Sequence, residues 1–139
     1  MLGTKLLTLF LLLAGPLRIG QVTWTPEAVD PEARTARVVL EYTLFTPENE
    51  AGAETTALPE GVYVQISFTR DNIFYWKDDF VVKEVSGRLT GVLEDIEPED
   101  VHSGPVLYDA EFTLYDAAGR KLDSNVQQIT LTYNHNHDE

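Results

Sequence analysis

The stretch FTLYDAAG, residues 112–119, decides the fold class, because it has the pattern of a β-strand that runs into a tight turn. Side chains alternate along a strand, so Phe112 and Leu114 are expected to share one face. The Asp116 carboxylate can accept hydrogen bonds from the backbone ahead of it, and Gly119 can adopt the positive φ that ends such a turn. The stretch therefore predicts a hairpin in a β-protein.

The same alternation of apolar and polar residues extends in both directions along the chain. It predicts strands over residues 22–25, 37–46, 62–70, 73–77, 80–85, 88–95, 106–115 and 121–133. Turns are expected at residues 71–72 and 78–79. The apolar phase of the last strand slips by one residue after Val126, which predicts a β-bulge near residues 127–128.

Seven to eight short strands without a convincing helix are typical of an antiparallel, immunoglobulin-like β-sandwich, and a small barrel is the alternative all-β architecture. Tyr108 lies two residues before Ala110 near the start of a strand, where immunoglobulin-like sandwiches carry a corner tyrosine. About 120 residues form one domain with one core.

Charge and cysteine content exclude several classes of function. The chain has 139 residues and a formal net charge of −13, from 10 Lys and Arg against 23 Asp and Glu. This charge repels nucleic-acid phosphates and anionic membrane surfaces, and it suits solubility, association with cations or a basic partner. The absence of cysteine excludes disulfides and thiolate metal sites.

The N-terminus has the layout of a secretory signal peptide. Lys5 precedes an apolar run from Leu6 to Ala14, and Gly15-Pro16 follows it. The run is shorter than the roughly 20 residues that span a bilayer, so we expect no membrane insertion of the mature chain. The expected organisation is a signal peptide at 1–20, a β-sandwich at 21–134 and an acidic, histidine-containing disordered tail at 135–139, in a secreted, periplasmic or cell-surface protein.

Residues 112–116, FTLYD, followed by Gly119, resemble the signature of FxLYD-type domains. The preceding residues 85–95 are similar to the strand of that family that carries a glycine and then an asparagine, although Asp95 stands here in place of the asparagine. The resemblance covers residues 85 to about 129, and the Pro-Gly turn and last strand of the family are not evident. It implies an extracytoplasmic, immunoglobulin-like β-sandwich and brings no catalytic residues with it.

An aromatic segment at Phe74, Tyr75 and Trp76 is the first candidate partner-binding site, together with Tyr63. If residues 71–72 form a two-residue turn, Tyr75 shares the core face, and Phe74 and Trp76 lie exposed on the other face. Such a patch could stack on sugar rings or anchor a protein partner. If the turn has three residues, Phe74 and Trp76 enter the core instead.

A carboxylate cluster is the second candidate, since Ca²⁺ takes six to eight oxygen ligands and loops at sandwich ends often supply them. The cluster consists of Glu94, Asp95, Glu97, Glu99 and Asp100. Its spacing lacks the pattern of a dedicated calcium loop, so a solvated acidic loop is the other interpretation. We expect no other cofactor.

Catalysis has little support, because no nucleophile elbow, phosphate-binding loop or zinc-protease motif is present. The sequence therefore predicts a noncatalytic secreted or cell-envelope domain that recognises a protein or is an accessory piece of an extracytoplasmic assembly. The alternatives are a glycan-binding module with an aromatic face around Trp76 and a calcium-stabilised structural module.

Overall fold

A computed structural model describes residues 17–46, 58–97 and 105–132. These residues form seven strands: β1 (Arg18–Pro26), β2 (Ala36–Phe45), β3 (Tyr63–Arg70), β4 (Ile73–Val81), β5 (Ser86–Leu93), β6 (Val106–Tyr115) and β7 (Lys121–Leu131). All pairings are antiparallel, and the strands make a three-stranded sheet in the order β1-β2-β5 and a four-stranded sheet in the order β4-β3-β6-β7. The predicted antiparallel β-sandwich is confirmed.

The core lies between the two sheets and is built from alternate residues of each strand. The expectation that Phe112 and Leu114 share one face of β6 is confirmed, since both are buried in the core together with Tyr108 and Ala110. The ring of Phe112 stacks on Tyr42 of the opposite sheet, with 5.5 Å between ring centroids. This contact links the two sheets near the centre of the sandwich.

The turn after β6 forms as the sequence predicts. Asp116 Oδ1 accepts hydrogen bonds from the backbone N–H groups of Ala118 and Arg120, and its Oδ2 accepts one from Arg120 Nε at 2.9 Å. Gly119 adopts a φ of 85°, which few residues other than glycine tolerate. The side chain of Asp116 therefore fixes the hairpin between β6 and β7.

The boundaries of β1 and β4 differ from the sequence-based prediction. The expected turn at residues 78–79 is wrong, because β4 continues as one strand of nine residues to Val81. The first strand begins at Arg18 rather than at residue 22, and Leu17 before it is buried. Residues 17–20 therefore pack in the sandwich, although the expected domain boundary lay at residue 21.

The expected bulge near residues 127–128 is also wrong. The register between β6 and β7 shifts at Leu114 and Tyr115 instead, close to the turn. Val126 consequently lies opposite Glu111 on the outer face and is 58% exposed, while the inward positions of β7 are polar from Asp123 to Gln127. The apparent slip in the apolar pattern of the last strand therefore arises because Val126 is apolar although it lies in an outward position.

Those inward polar residues close the side of the sandwich where β1 and β7 are neighbours. Ile19 N donates to Asp123 Oδ2 at 2.9 Å, and Gln127 Nε2 donates to the carbonyl oxygen of Val22 at 3.0 Å. A backbone hydrogen bond from Val29 N to the Thr132 carbonyl extends this contact. Side chains here take the place of a regular ladder between the two edge strands.

Candidate recognition surface

The β3–β4 hairpin determines which aromatic side chains reach the surface. Asp71 and Asn72 have φ values of 54° and 66°, and Arg70 is paired with Ile73. Positive φ at both central residues is the geometry of a type I′ turn, which joins strands through two residues. The two-residue turn is thus the alternative that the chain adopts.

A bulge immediately after this turn changes the expected register. Phe74 is opposite Thr69, but Trp76 rather than Tyr75 is opposite Phe68, because the register shifts between Phe68 and Thr69. A bulge places one extra residue on one strand and reverses the side-chain phase beyond it. Neither of the two expected registers is therefore realised along the whole segment.

The bulge sends the aromatic side chains to different sides of the sheet. Phe74 is 60% exposed on the outer side, whereas Tyr75 and Trp76 are half-buried against the core. Trp76 stacks on Phe68 at 5.8 Å between centroids, and Tyr75 meets the buried ring of Tyr108 edge-on at 5.1 Å. The alternative in which Phe74 and Trp76 are exposed together on one face is therefore not the one that the chain adopts.

Trp76 closes the side of the sandwich between β4 and β5. A side-chain carbon built on Gly91 of β5 would lie 2.9 Å from Trp76 Cζ3 and 2.8 Å from Phe68 Cε2. The indole thus packs over a position where only glycine leaves room. Trp76 stabilises the fold here by covering the core.

The outer face of the four-stranded sheet is the surface that the register leaves to solvent. It consists of the odd-numbered residues of β3 and β6, Lys121 and the even-numbered residues of β7 from Ser124 onward, and Phe74, Lys77, Asp79 and Val81 of β4. The centre of this face is a shallow depression, because the side chains there, Ser67 and Thr113, are small and buried. Larger side chains surround this centre.

Large apolar side chains are concentrated on the outer face. Phe74, Val81, Leu107 and Val126 belong to it and are between 52% and 67% exposed. Sequence reasoning missed three of them. Leu107 and Val81 stand out as apolar residues in the outward phase of their strands once β4 is extended to Val81.

Polar contacts order several side chains of the outer face. Gln65 Nε2 donates to Asp79 Oδ1 at 3.0 Å, and the Lys77 ammonium lies 5.1 Å from the centre of the Phe74 ring. Tyr63 and Tyr115 stack across neighbouring strands at 4.9 Å between centroids. Cross-strand pairs of this kind hold side chains in fixed positions and reduce the entropy cost of binding.

The outer face of the three-stranded sheet has a different character. Alternate residues there are mainly polar or charged, such as Thr23, Glu41, Arg88 and Thr90, and are exposed. Among the described residues, Phe45 is the one large apolar side chain exposed on this side, at 39%, and the Arg18 guanidinium lies over its ring. The two sides of the sandwich are thus chemically distinct.

The acidic cluster is described only in part. Glu94, Asp95 and Glu97 are exposed at the end of β5, and Glu99 and Asp100 lie outside the described residues. Within residues 17–46, 58–97 and 105–132, no group of three or more acidic or histidine side chains is arranged to hold a metal ion. The calcium hypothesis remains a prediction, as does the expectation for the tail at 135–139.

The two groups with a shifted pKa lie away from the outer face. Burial, and to a lesser extent the charge of Glu84, raises the pKa of the Tyr42 hydroxyl, which donates to the Glu84 carbonyl at 3.4 Å. The hydrogen bond from Arg120 N lowers the pKa of Asp116, and the Arg120 side chain and Ala118 N act in the same direction. Both groups serve the fold at the positions where they lie.

No protein-family model matches the chain, and no similar sequence was found among curated proteins. The resemblance to FxLYD-type domains therefore stays a prediction. In the described parts of the chain, no helix is long and apolar enough to cross a membrane.

Proposed function

We propose that this chain is a noncatalytic β-sandwich module of a secreted or cell-envelope protein, and that it recognises a protein partner through the outer face of the four-stranded sheet. One observation carries the proposal: Phe74, Val81, Leu107 and Val126 are all exposed on this one face. Exposed apolar side chains set among polar ones on one face are typical of protein-binding surfaces.

The composition of the face suggests the chemistry of its partner. Asp79, Asp109 and Glu111 contribute three carboxylates, against the two ammonium groups of Lys77 and Lys121. A partner with apolar side chains and an excess of basic groups complements this pattern. The charge of the whole chain, −13, would accelerate the approach of such a partner.

A protein partner is favoured over a glycan because of the spacing of the aromatic rings. Phe74 is opposite Thr69, and Tyr63 lies at the other end of the same strand. Six residues of extended chain separate Phe74 from Tyr63, which corresponds to roughly 20 Å. The glycan-binding alternative relies on an exposed aromatic face around Trp76, but Trp76 is turned toward the core and the ring of Tyr63 is stacked on Tyr115.

The finer fold assignment is part of this proposal. An immunoglobulin-like domain of FxLYD type is supported by the turn that Asp116 and Gly119 form after β6 and by the buried ring of Tyr108 on the same strand. Chain crossings between sheets after β2, β4 and β5 agree with it. Such domains are extracytoplasmic, in accord with the apolar N-terminal run.

Site-specific photocrosslinking in the cells that produce the protein tests the proposal. A photoreactive phenylalanine analogue is placed at Phe74 and at Val126 on the outer face, and at Thr23 and Thr90 on the opposite side of the sandwich as matched controls. We expect the same discrete protein adduct from both outer-face positions and none from the controls. Equal adducts from both sides, or an adduct from the controls alone, would contradict the proposed surface.

A further inference from the structure

Among the described residues, β4 is the last strand of its sheet, and no described strand pairs with its outer edge, which is called the open edge below. Val82 N donates to the Val62 carbonyl of the β3 side at 3.1 Å. Backbone groups alternate in direction along an antiparallel pair, and the register is regular from Val81 back to Trp76. Lys77, Asp79 and Val81 therefore direct their backbone N–H and C=O groups away from β3, toward the open edge. Such an edge can pair with another strand.

Asp78 lies in the middle of this edge in an unusual position. It is opposite Ile66, whose side chain is fully buried, so Asp78 is on the core side of the sheet, yet it is exposed because none of the described strands lies beyond β4. Its Oδ1 accepts a hydrogen bond from Asp79 N at 2.9 Å. The Asp78 carboxylate thus occupies the Asp79 N–H, which is a hydrogen-bond donor of the open edge. It also places a negative charge at a position that an added strand would cover.

The other edge of the same sheet has the same contact. Asp123 on β7 accepts a hydrogen bond from Ser124 N at 2.9 Å, and its second oxygen accepts one from Ile19 N. That edge is covered by β1. On β4 the corresponding aspartate, Asp78, is exposed, and no strand in the described part of the chain lies beside it.

We infer that Asp78 keeps the β4 edge from pairing with the β4 strand of a second copy of this chain. An antiparallel pairing that is symmetric about residue 78 would set Lys77 opposite Asp79 of the second copy, twice, on the outer side. On the core side it would set Trp76 opposite Phe80 of the second copy. Asp78 alone would meet its own equivalent, and like charges directly opposite each other oppose pairing.

The backbone selects this register over its neighbours. A pairing symmetric about residue 77 would set Lys77 against Lys77 and would need the carbonyl of Tyr75, which accepts a hydrogen bond from Glu94 N at 3.3 Å. A pairing symmetric about residue 79 would set Asp79 against Asp79. The register about residue 78 uses the edge-facing backbone groups of Lys77 and Asp79, of which Asp79 N becomes available when the Asp78 carboxylate is removed, and it pairs the opposite charges of the two side chains. A second copy is therefore the occupant that the charge pattern fits.

Sedimentation velocity of three variants over a wide concentration range tests the inference. Asp78→Thr removes the charge and the contact with Asp79 N, and threonine suits a strand. Asp79→Thr is the matched control, one residue along the same strand with its side chain on the other side. The double variant Asp78→Thr/Asp79→Lys restores like-charge contacts between Lys77 and the new lysine. Circular dichroism verifies folding, and Asp78→Asn replaces Asp78→Thr if the latter does not fold.

We expect a concentration-dependent dimer for Asp78→Thr, with a dissociation constant lower than that of the wild type by at least about tenfold. Asp79→Thr and the double variant should sediment as the wild type does. A folded Asp78→Thr that associates no more than the wild type would overturn the inference. Equal dimerisation of Asp79→Thr, or open-ended aggregates instead of a dimer, would do so as well. None of these results depends on the proposed outer-face partner.

Discussion

The indole of Trp76 lies directly over the backbone of Gly91, so that a side-chain carbon on Gly91 would be 2.9 Å from Trp76 Cζ3. This packing covers the core between β4 and β5 with an aromatic ring. On the opposite side, between β1 and β7, polar side chains from Asp123 to Gln127 make the connection. One open side of the sandwich is thus covered by an aromatic ring, here called the apolar closure, and the other is joined by polar side chains, here called the polar closure.

Gly91→Ala tests the apolar closure. The added methyl group must displace Phe68 or Trp76, and we expect a loss of about 1–3 kcal/mol in the free energy of unfolding. Urea titration measures it, with Thr90→Ala as the control, since Thr90 is exposed on the outward side of the same strand. A variant as stable as the control would show that the indole does not pack on this glycine.

Gln127→Ala tests the polar closure. The variant loses the hydrogen bonds to the Val22 carbonyl and to Asn125 Oδ1, which leaves a partly buried carbonyl without its donor. We expect a loss of about 1–2 kcal/mol. Gln128→Ala, on the outer face, should change stability by less than about 0.5 kcal/mol. Equal effects of the two variants would argue against a structural contact between β1 and β7.

The start of the folded domain can be tested by truncation. A chain of residues 17–139 retains the buried Leu17, the packing of Ile19 on the core and the hydrogen bond from Ile19 N to Asp123. A chain of residues 21–139 loses all three. We expect the shorter chain to be less stable by about 2–4 kcal/mol in urea titration. Equal stability would mean that residues 17–20 do not contribute to the core.

The turn after β6 should make stability depend on pH through Asp116. Because hydrogen bonds lower its pKa in the folded state, its contribution is present above the unfolded pKa of about 3.9. That contribution is lost as the pH falls further through the folded-state pKa. We expect Asp116→Asn to flatten the fall of the melting temperature in acid.

Arg120→Met serves as the comparison for Asp116→Asn. It removes the guanidinium but keeps the backbone N–H, which is the largest cause of the lowered pKa. Its melting temperature should therefore retain most of the wild-type pH dependence. If Asp116→Asn kept the full wild-type dependence, the turn would not depend on the ionised carboxylate.

Much of the fold could be predicted from local patterns. The alternation in β6 indicated its inward face correctly, and Asp116 and Gly119 indicated the turn, because these signals depend only on neighbouring residues. Val126 misled the inference for β7, since its apolar side chain is on the outer face. The polar residues in the inward positions of β7 are explained by their hydrogen bonds to β1, and local sequence does not show that β1 lies beside them.

The candidate surface was harder to predict than the fold. The turn at Asp71 and Asn72 was one of two alternatives, but nothing near Tyr75 indicates a bulge, because its position depends on pairing with β3. The strand also continues through residues 78–79, where two adjacent aspartates favour a turn. Sheet context overrides these local preferences, as is common for strands.

Tryptophan fluorescence of the Trp24→Phe variant, in which Trp76 alone reports, tests the account most directly. The central claim is that Trp76 closes the sandwich and that the outer face is the surface left for recognition. We predict blue-shifted emission and weak quenching by iodide, with Gly91→Ala in the same background shifting the emission to the red. If Trp76 already showed red-shifted emission and full quenching with Gly91 intact, the claim would be contradicted. The aromatic segment would then lie exposed at the surface.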